Sequence, residues 1–190
     1  MLDLCEEHQV PVTFFVVGQV MSPKHRDVWQ RAIDLDCEIG NHTWSHRKLS
    51  KLSAGLVKQQ LTMAAEAVDE ALGYHYPMQM MRPPYGSLTK KPGYISEKWM
   101  NDAIASCGYF CAVKWDVSQT NAQKAFKDVR NGSILLYHAK PKDVACLTEL
   151  IPMVKEAGFE CVTVSNLLGY ENPVPEKSVD PVDEPAAPAA

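Results

Sequence analysis

The chain has 190 residues, 46% hydrophobic and 22% charged, enough for one globular domain with a sizeable core. Its 19 basic and 23 acidic residues provide no cationic field, which excludes an electrostatic footprint for nucleic acid. No apolar run approaches the roughly 20 residues of a membrane span, and Met1-Leu2-Asp3-Leu4-Cys5-Glu6-Glu7 has neither the basic start nor the apolar stretch of a signal peptide.

The elements alternate between the two periodicities. Val10–Val17 is β-branched and aromatic and reads as a strand ending at Gly18. Pro23–Leu35 has near-helical apolar spacing, with Ser22 and Pro23 as N-cap and first-turn residues. Glu38–Gly40 is a short extended piece, and Ser53–Leu72 is a long amphipathic helix stopped by Gly73. Met78–Met81 reads as a strand, Ile95–Cys107 as a helix and Tyr109–Val117 as a strand. Asn121–Val129 follows as a short helix, Ser133–Tyr137 as a buried strand, Lys142–Ala157 as a helix and Phe159–Val164 as a last strand. Such alternation predicts a parallel sheet covered by helices, either an open doubly wound sheet or a barrel.

The folded domain spans residues 1–170. Residues 171–190 carry five acidic residues against Lys177, which accounts for the whole net charge of −4. With five prolines and no aromatic residue, that stretch reads as a disordered acidic tail. Cys5, Cys37, Cys107, Cys111, Cys146 and Cys161 lie in apolar contexts and read as free, buried thiols.

Four polar residues fall at carboxyl ends of predicted strands, where parallel α/β folds place their ligand sites: His42, Arg82, Asp116 and His138. In His42-Thr43-Trp44-Ser45-His46 the imidazoles share a face if the segment is a helix or a wide turn, as metal ligands or as surface and capping histidines. Arg82-Pro83-Pro84-Tyr85-Gly86 reads as a rigid, extended exit from a strand, able to hold Arg82 and the Tyr85 N–H at an oxyanion site or simply to leave a surface arginine. Asp116 is either a group that orients a base or binds metal, or a solvated or capping carboxylate. His138, directly after a buried strand, is either placed for proton transfer or a satisfied core histidine.

Taken together and in order, four segments resemble the polysaccharide deacetylase family, carbohydrate esterase family 4, also called the NodB-homology domain. They are Val12-Thr13-Phe14-Phe15-Val16-Val17-Gly18, Ile39-Gly40-Asn41-His42-Thr43-Trp44-Ser45-His46, Arg82-Pro83-Pro84-Tyr85-Gly86 and Ile134-Leu135-Leu136-Tyr137-His138. The resemblance covers about residues 1–168. It implies a distorted (β/α) barrel and metal-dependent removal of acetyl groups from an N-acetylated polysaccharide, such as peptidoglycan or a chitin-like glycan, outside the cell or at its surface. In that scheme His42 and His46 hold a divalent metal, most simply zinc. Arg82 orients a base, the Tyr85 N–H supports the oxyanion, and His138 protonates the leaving amine. Trp44 and Trp115 are positioned to stack on sugar rings.

The chain departs from the family pattern at its front. The family's opening strand ends in two aspartates, the general base and the third metal ligand, and this chain has no Asp-Asp pair. Met1-Leu2-Asp3-Leu4 resembles the helix after that strand. The expectation is a barrel without its first strand, metal held weakly or not at all, and impaired hydrolysis. Either the strand precedes Met1 in a longer protein, or the chain is a non-catalytic glycan-binding pseudoenzyme. The sheet edge left bare is open to self-association. Where relatives carry an Asp-Trp pair this chain has Asn121-Ala122, so Asn121 or Asp116 is expected to orient His138.

Overall fold

The computed structural model describes residues 1–91 and 96–175. The chain opens with α1, Leu2–His8, and passes through Gln9, a left-handed cap, into β1, Thr13–Val16. A turn at Pro23–His25, capped by the Ser22 hydroxyl, leads into α2, Arg26–Asp34, and then β2, Glu38–Asn41. Helix α3, Ala54–Leu72, begins where the Ser53 hydroxyl accepts from the Leu56 N–H and stops at Gly73, whose φ of 82° suits glycine. The chain continues through β3, Met80–Met81; α4, Lys98–Ala105; β4, Cys111–Ala112; α5, Ala122–Asp128; α6, Pro141–Glu156; and α7, Val164–Leu167.

The strands form one parallel sheet in the order β1-β2-β3-β4. Thr13 to Val16 pair with Glu38 to Asn41, Asn41 with Met81, and Met81 with Ala112. The register brings the four strand ends Val16, Asn41, Met81 and Ala112 level, so His42 and Arg82, each one residue past an end, emerge side by side. The main core lies between the sheet and the helices, with Ile39, Leu61, Val68, Met81 and Met100 excluded from solvent. Each such side chain contributes about 1.5–3 kcal/mol through burial. A second cluster joins Val117 and Ala125 to Leu150 and Val154 on α6.

A buried carboxylate ties the last helix to the sheet. Glu38 accepts from the Thr13 hydroxyl at 2.7 Å and the Ser165 hydroxyl at 2.5 Å, which satisfies a charge that would otherwise be costly inside.

The parallel α/β expectation holds, and the first three strand regions lie where the pattern put them. The later ones are corrected. Tyr109–Val117 keeps a ladder only at Cys111–Ala112, and Ser133–Tyr137 makes a single bridge, Leu135 to Val117. Phe159–Val164 forms no strand; it runs as irregular chain into α7. Residues 116–117 and 134–136 still exchange backbone bonds, from the Asp116 and Val117 N–H to Ile134 and from the Leu136 N–H to Val117, whereas residues 159–162 meet a cleft in place of a neighbouring strand. This cleft, of about 260 Å³, is lined by Val10–Phe14, Ile134, Leu135 and Phe159–Val162. On β1, the Val12 and Val16 carbonyls accept from β2, so the parity of a strand turns the backbone groups of Thr13 and Phe15 away from β2. The predicted start of the fourth helix at Ile95, and the tail beyond residue 175, lie outside the described residues.

Candidate active site

The His42–His46 segment is a wide turn, not a helix. Thr43 and His46 have φ of 70° and 54°, a left-handed geometry that β-branched threonine rarely adopts. Side chains from the sheet and α3 hold it there. The Asn41 carboxamide accepts from the Thr43 N–H at 2.8 Å and donates to the Leu61 carbonyl at 2.9 Å. The Thr43 hydroxyl accepts from the His46 N–H at 3.1 Å, and Gln60 accepts from both the Ser45 N–H and the Ser45 hydroxyl. Gly18 makes room: a Cβ there would lie 2.7 Å from the Trp44 ring and 2.8 Å from the α3 backbone at Ala64. Trp44 is thus half-buried packing between Gly18 and its own turn.

The turn sets the two imidazoles edge to face, with centroids 4.8 Å apart. His42 Nδ1 lies 2.6 Å from the Arg82 carbonyl oxygen, which can only accept. Nδ1 therefore carries the proton, and the Nε2 lone pair is left for a ligand. Burial, opposed by that hydrogen bond, pulls the His42 pKa down to about 4 and keeps the ring neutral. The neighbouring His46, Arg82 and His138 add to the downward pull on His42.

Arg82 is only 6% exposed. Its guanidinium sits 4.2 Å above the Phe15 ring and donates to the Lys114 carbonyl at 3.2 Å, while Nε has no partner. Burial pulls its pKa down to about 10, so it remains a cation at neutral pH. The following loop is not extended as expected. Pro84–Gly86 makes a tight turn, with Tyr85 at φ 60° and Gly86 at φ 62°. The turn presents Tyr85, 67% exposed, to His46 at a centroid distance of 4.9 Å. The half-buried Trp115 ring covers Gly86.

Contacts therefore join His42, His46, Arg82 and Tyr85, with His138 nearby and Trp115 at the edge. Asp116 is engaged elsewhere: its carboxylate accepts from the Ile134 N–H at 2.8 Å. Asn121 caps α5 through the Lys124 N–H. The residue that meets His138 is Asp143, which sequence reasoning missed. Its Oδ2 accepts from the His138 N–H at 2.7 Å and lies 3.0 Å from His138 Nδ1. Burial raises the Asp143 pKa, but the two contacts from His138 outweigh it and hold the carboxyl below its usual value. The available signal was Pro141, which starts α6 and places Asp143 in its first turn, five residues after the histidine.

The donor set suits a divalent metal in type: two imidazoles, one with Nε2 freed by a backbone acceptor. Among the described residues no group of three or more His, Cys, Asp or Glu is arranged to hold a metal ion, so the pair is an open half-site.

Comparison with known proteins agrees with this geometry. Residues 1–103 match the family model for polysaccharide deacetylases. The peptidoglycan-N-acetylglucosamine deacetylase PgdA of Listeria monocytogenes is 27% identical over 192 aligned positions, covering 96% of this chain and 38% of PgdA. A solved deacetylase with bound substrate is 29% identical, with a TM-score of 0.73 over 94% of this chain and 87% of that one. A pseudoenzyme of carbohydrate esterase family 4 from Bacillus anthracis shares the fold at 20% identity and a TM-score of 0.73, covering 88% of this chain and 58% of that one. The chain spans less than two thirds of the length of several curated relatives, including 27% of a bifunctional xylanase/deacetylase from Pseudobutyrivibrio xylanivorans.

Proposed function

The chain belongs to the polysaccharide deacetylase family, and on that footing we propose that its site is built to hydrolyse the N-acetyl amide of a cell-wall or chitin-like glycan, outside the cell or at its surface. The observation that carries this reading is His42, neutral and with Nε2 free, beside His46 and the cationic Arg82. His42 and His46 would hold a divalent metal, with zinc the simplest choice for two imidazoles. When bound, that metal supplies Lewis-acid polarisation of the acetyl carbonyl.

The rest is the work of this chain. His138, fixed through Nδ1 by Asp143, gives a proton from Nε2 to the amine nitrogen as the C–N bond breaks. The Tyr85 N–H, on a turn stiffened by Pro83 and Pro84, is the donor we assign to the developing oxyanion. Trp115 and Tyr85 offer ring surfaces at the edge for a sugar. Water attacks without help, because among the described residues no carboxylate joins the histidine pair and Arg82 Nε has no acid to orient. Hydrolysis by this chain alone is therefore slow and its metal weakly held. Non-catalytic glycan binding is the second reading, favoured by the same unpartnered Nε. The bare edge of β1, open to the cleft, is also a surface for strand addition by a second copy.

Acetate release from N-acetylated chito-oligosaccharides and from peptidoglycan, with zinc or cobalt added, tests the proposal beside calorimetry of the same sugars. Slow, metal-dependent release supports impaired catalysis. Heat of binding with no release supports the pseudoenzyme, rapid release overturns the impairment, and neither heat nor acetate overturns the glycan reading. Sedimentation at rising concentration tests self-association, and an unchanging monomer refutes it.

A further inference from the structure

Two cysteines lie together outside the site. Cys5 on α1 and Cys37 at the entry to β2 are each 4% exposed and form one buried cluster with Ala32. The elements that carry them are clamped. Arg31 on α2 bonds Asp3 at 2.8 Å and also Glu6, the residues that flank Cys5 closely on α1. Backbone bonds fix the other ends: the Cys37 N–H donates to Ala32, and the Val10 N–H donates to the Cys5 carbonyl. The wall of the 260 Å³ cleft includes Cys5, which gives small reagents a route to an otherwise enclosed pair.

We infer that Cys5 and Cys37 are an oxidisable dithiol that closes to an intrachain disulfide with small-molecule disulfides, stapling α1 to the start of β2. The two residues pack in one buried cluster, where the Cys37 thiol also lies 3.8 Å from the Leu35 carbonyl; interaction between the thiols lowers the Cys37 pKa and raises that of Cys5. Either thiol attacks a disulfide as its thiolate, and Cys5, on the cleft wall, is the one a small reagent meets first. The thiolate attacks one sulfur of the reagent, breaking its S–S bond, forming a mixed disulfide and releasing one thiolate. The second cysteine loses its proton and attacks the protein sulfur of the mixed disulfide, expelling the other half. Two electrons pass from the protein thiols to the reagent, and the two protons end on the two released thiols. Cys111 contacts the Met80 sulfur, and Cys146 lies against Tyr137 and the Gln119 carbonyl, so neither has a thiol partner in these contacts.

The test treats the folded chain, without denaturant, with oxidised glutathione, then blocks free thiols and digests with trypsin. The expected product has lost two hydrogens and links the peptides of residues 1–24 and 32–47, each of which holds one of the two cysteines. The link should persist in C161S, which removes the other cysteine on the cleft wall, and vanish in C37S. The oxidised chain should melt higher by roughly 5 °C or more, because the link closes a long loop in the unfolded chain. Both thiols remaining open to alkylation, a link from Cys5 to Cys161, a link that forms only in urea, or a link without a rise in melting each overturns the inference. If C37S does not fold, the wild-type peptide map still decides.

Discussion

Two parts of the sheet carry similar hydrophobic patterns and fold to different degrees. Residues 13–16 and 38–41 pair at four consecutive positions, with Ile39 wholly buried. Tyr109–Val117 and Ser133–Tyr137 share one bridge; Tyr109, Val113 and Val117 are buried, but Ile134, Leu135 and Tyr137 line a cleft. A run of β-formers encodes burial, whereas a ladder also needs a neighbour whose N–H and C=O groups are free on the facing edge. The first part has that neighbour and a full helix layer. The second meets a cleft.

The sharpest way to break this comparison is to excavate each part. Leu61→Ala removes a side chain enclosed by the main core and should cost about 2–5 kcal/mol. Leu135→Ala removes a half-buried side chain at the cleft, where collapse is easy, and should cost about 1 kcal/mol. Urea denaturation of both variants measures the difference. Equal losses would show that the second part is as tightly packed as the first.

Acid provides a second probe of the well-paired part. The His42 pKa lies near 4 in the folded chain, below the usual 6.5. The unfolded chain therefore binds a proton first as pH falls. Stability from this group is complete above about pH 6.5 and is lost progressively down to about pH 4. The loss should be on the order of 2–3 kcal/mol and should be largely absent from His42→Gln. Denaturation midpoints measured from pH 7 to pH 4 check it.

Much of the site was legible. The register that sets His42 beside Arg82 follows from two motifs, each ending a strand of the same parallel sheet. What could not be read was orientation. Nothing local marks Thr43 and Tyr85 as left-handed, because packing from Gln60, Asn41 and the proline pair imposes those angles. Asp116 and Asn121 were the candidates to orient His138, and Asp143 was missed because its place depends on where α6 begins in space. The cysteines are free as read, but only Cys5, Cys37 and Cys146 are buried while Cys107, Cys111 and Cys161 are half-buried, and the proximity of Cys5 and Cys37 comes from α1 packing across the entry to β2.

Arg82 separates stability from function where the two parts meet. It is a buried cation with a ring, one carbonyl and, among the described residues, no ion-pair partner around it. Arg82→Met keeps much of the packing and removes the unpaired charge, so stability should stay level or rise by about 1 kcal/mol. Any acetate release should fall below detection. A loss of several kcal/mol would show that the guanidinium holds the fold together rather than serving the site.

The smallest effect is expected at Asp143, in the second part. Asp143→Asn keeps an oxygen that can accept from the His138 N–H, so the first turn of α6 should survive. What disappears is a carboxylate held below its usual pKa, and the sign follows from that direction. The unfolded chain takes up the proton first as pH falls, so wild type exceeds the variant above the ordinary carboxylate range and the gap closes as pH falls through the folded value. Solvent screens the pair, so the gap at neutral pH should be a fraction of 1 kcal/mol. The site should respond more than the fold. Without the charge, His138 loses the partner that fixes its tautomer, and deacetylation should fall at least tenfold with substrate binding unchanged. Glycan calorimetry alongside acetate release separates the two effects. A parallel fall in binding would place Asp143 in the glycan surface instead of behind the acid.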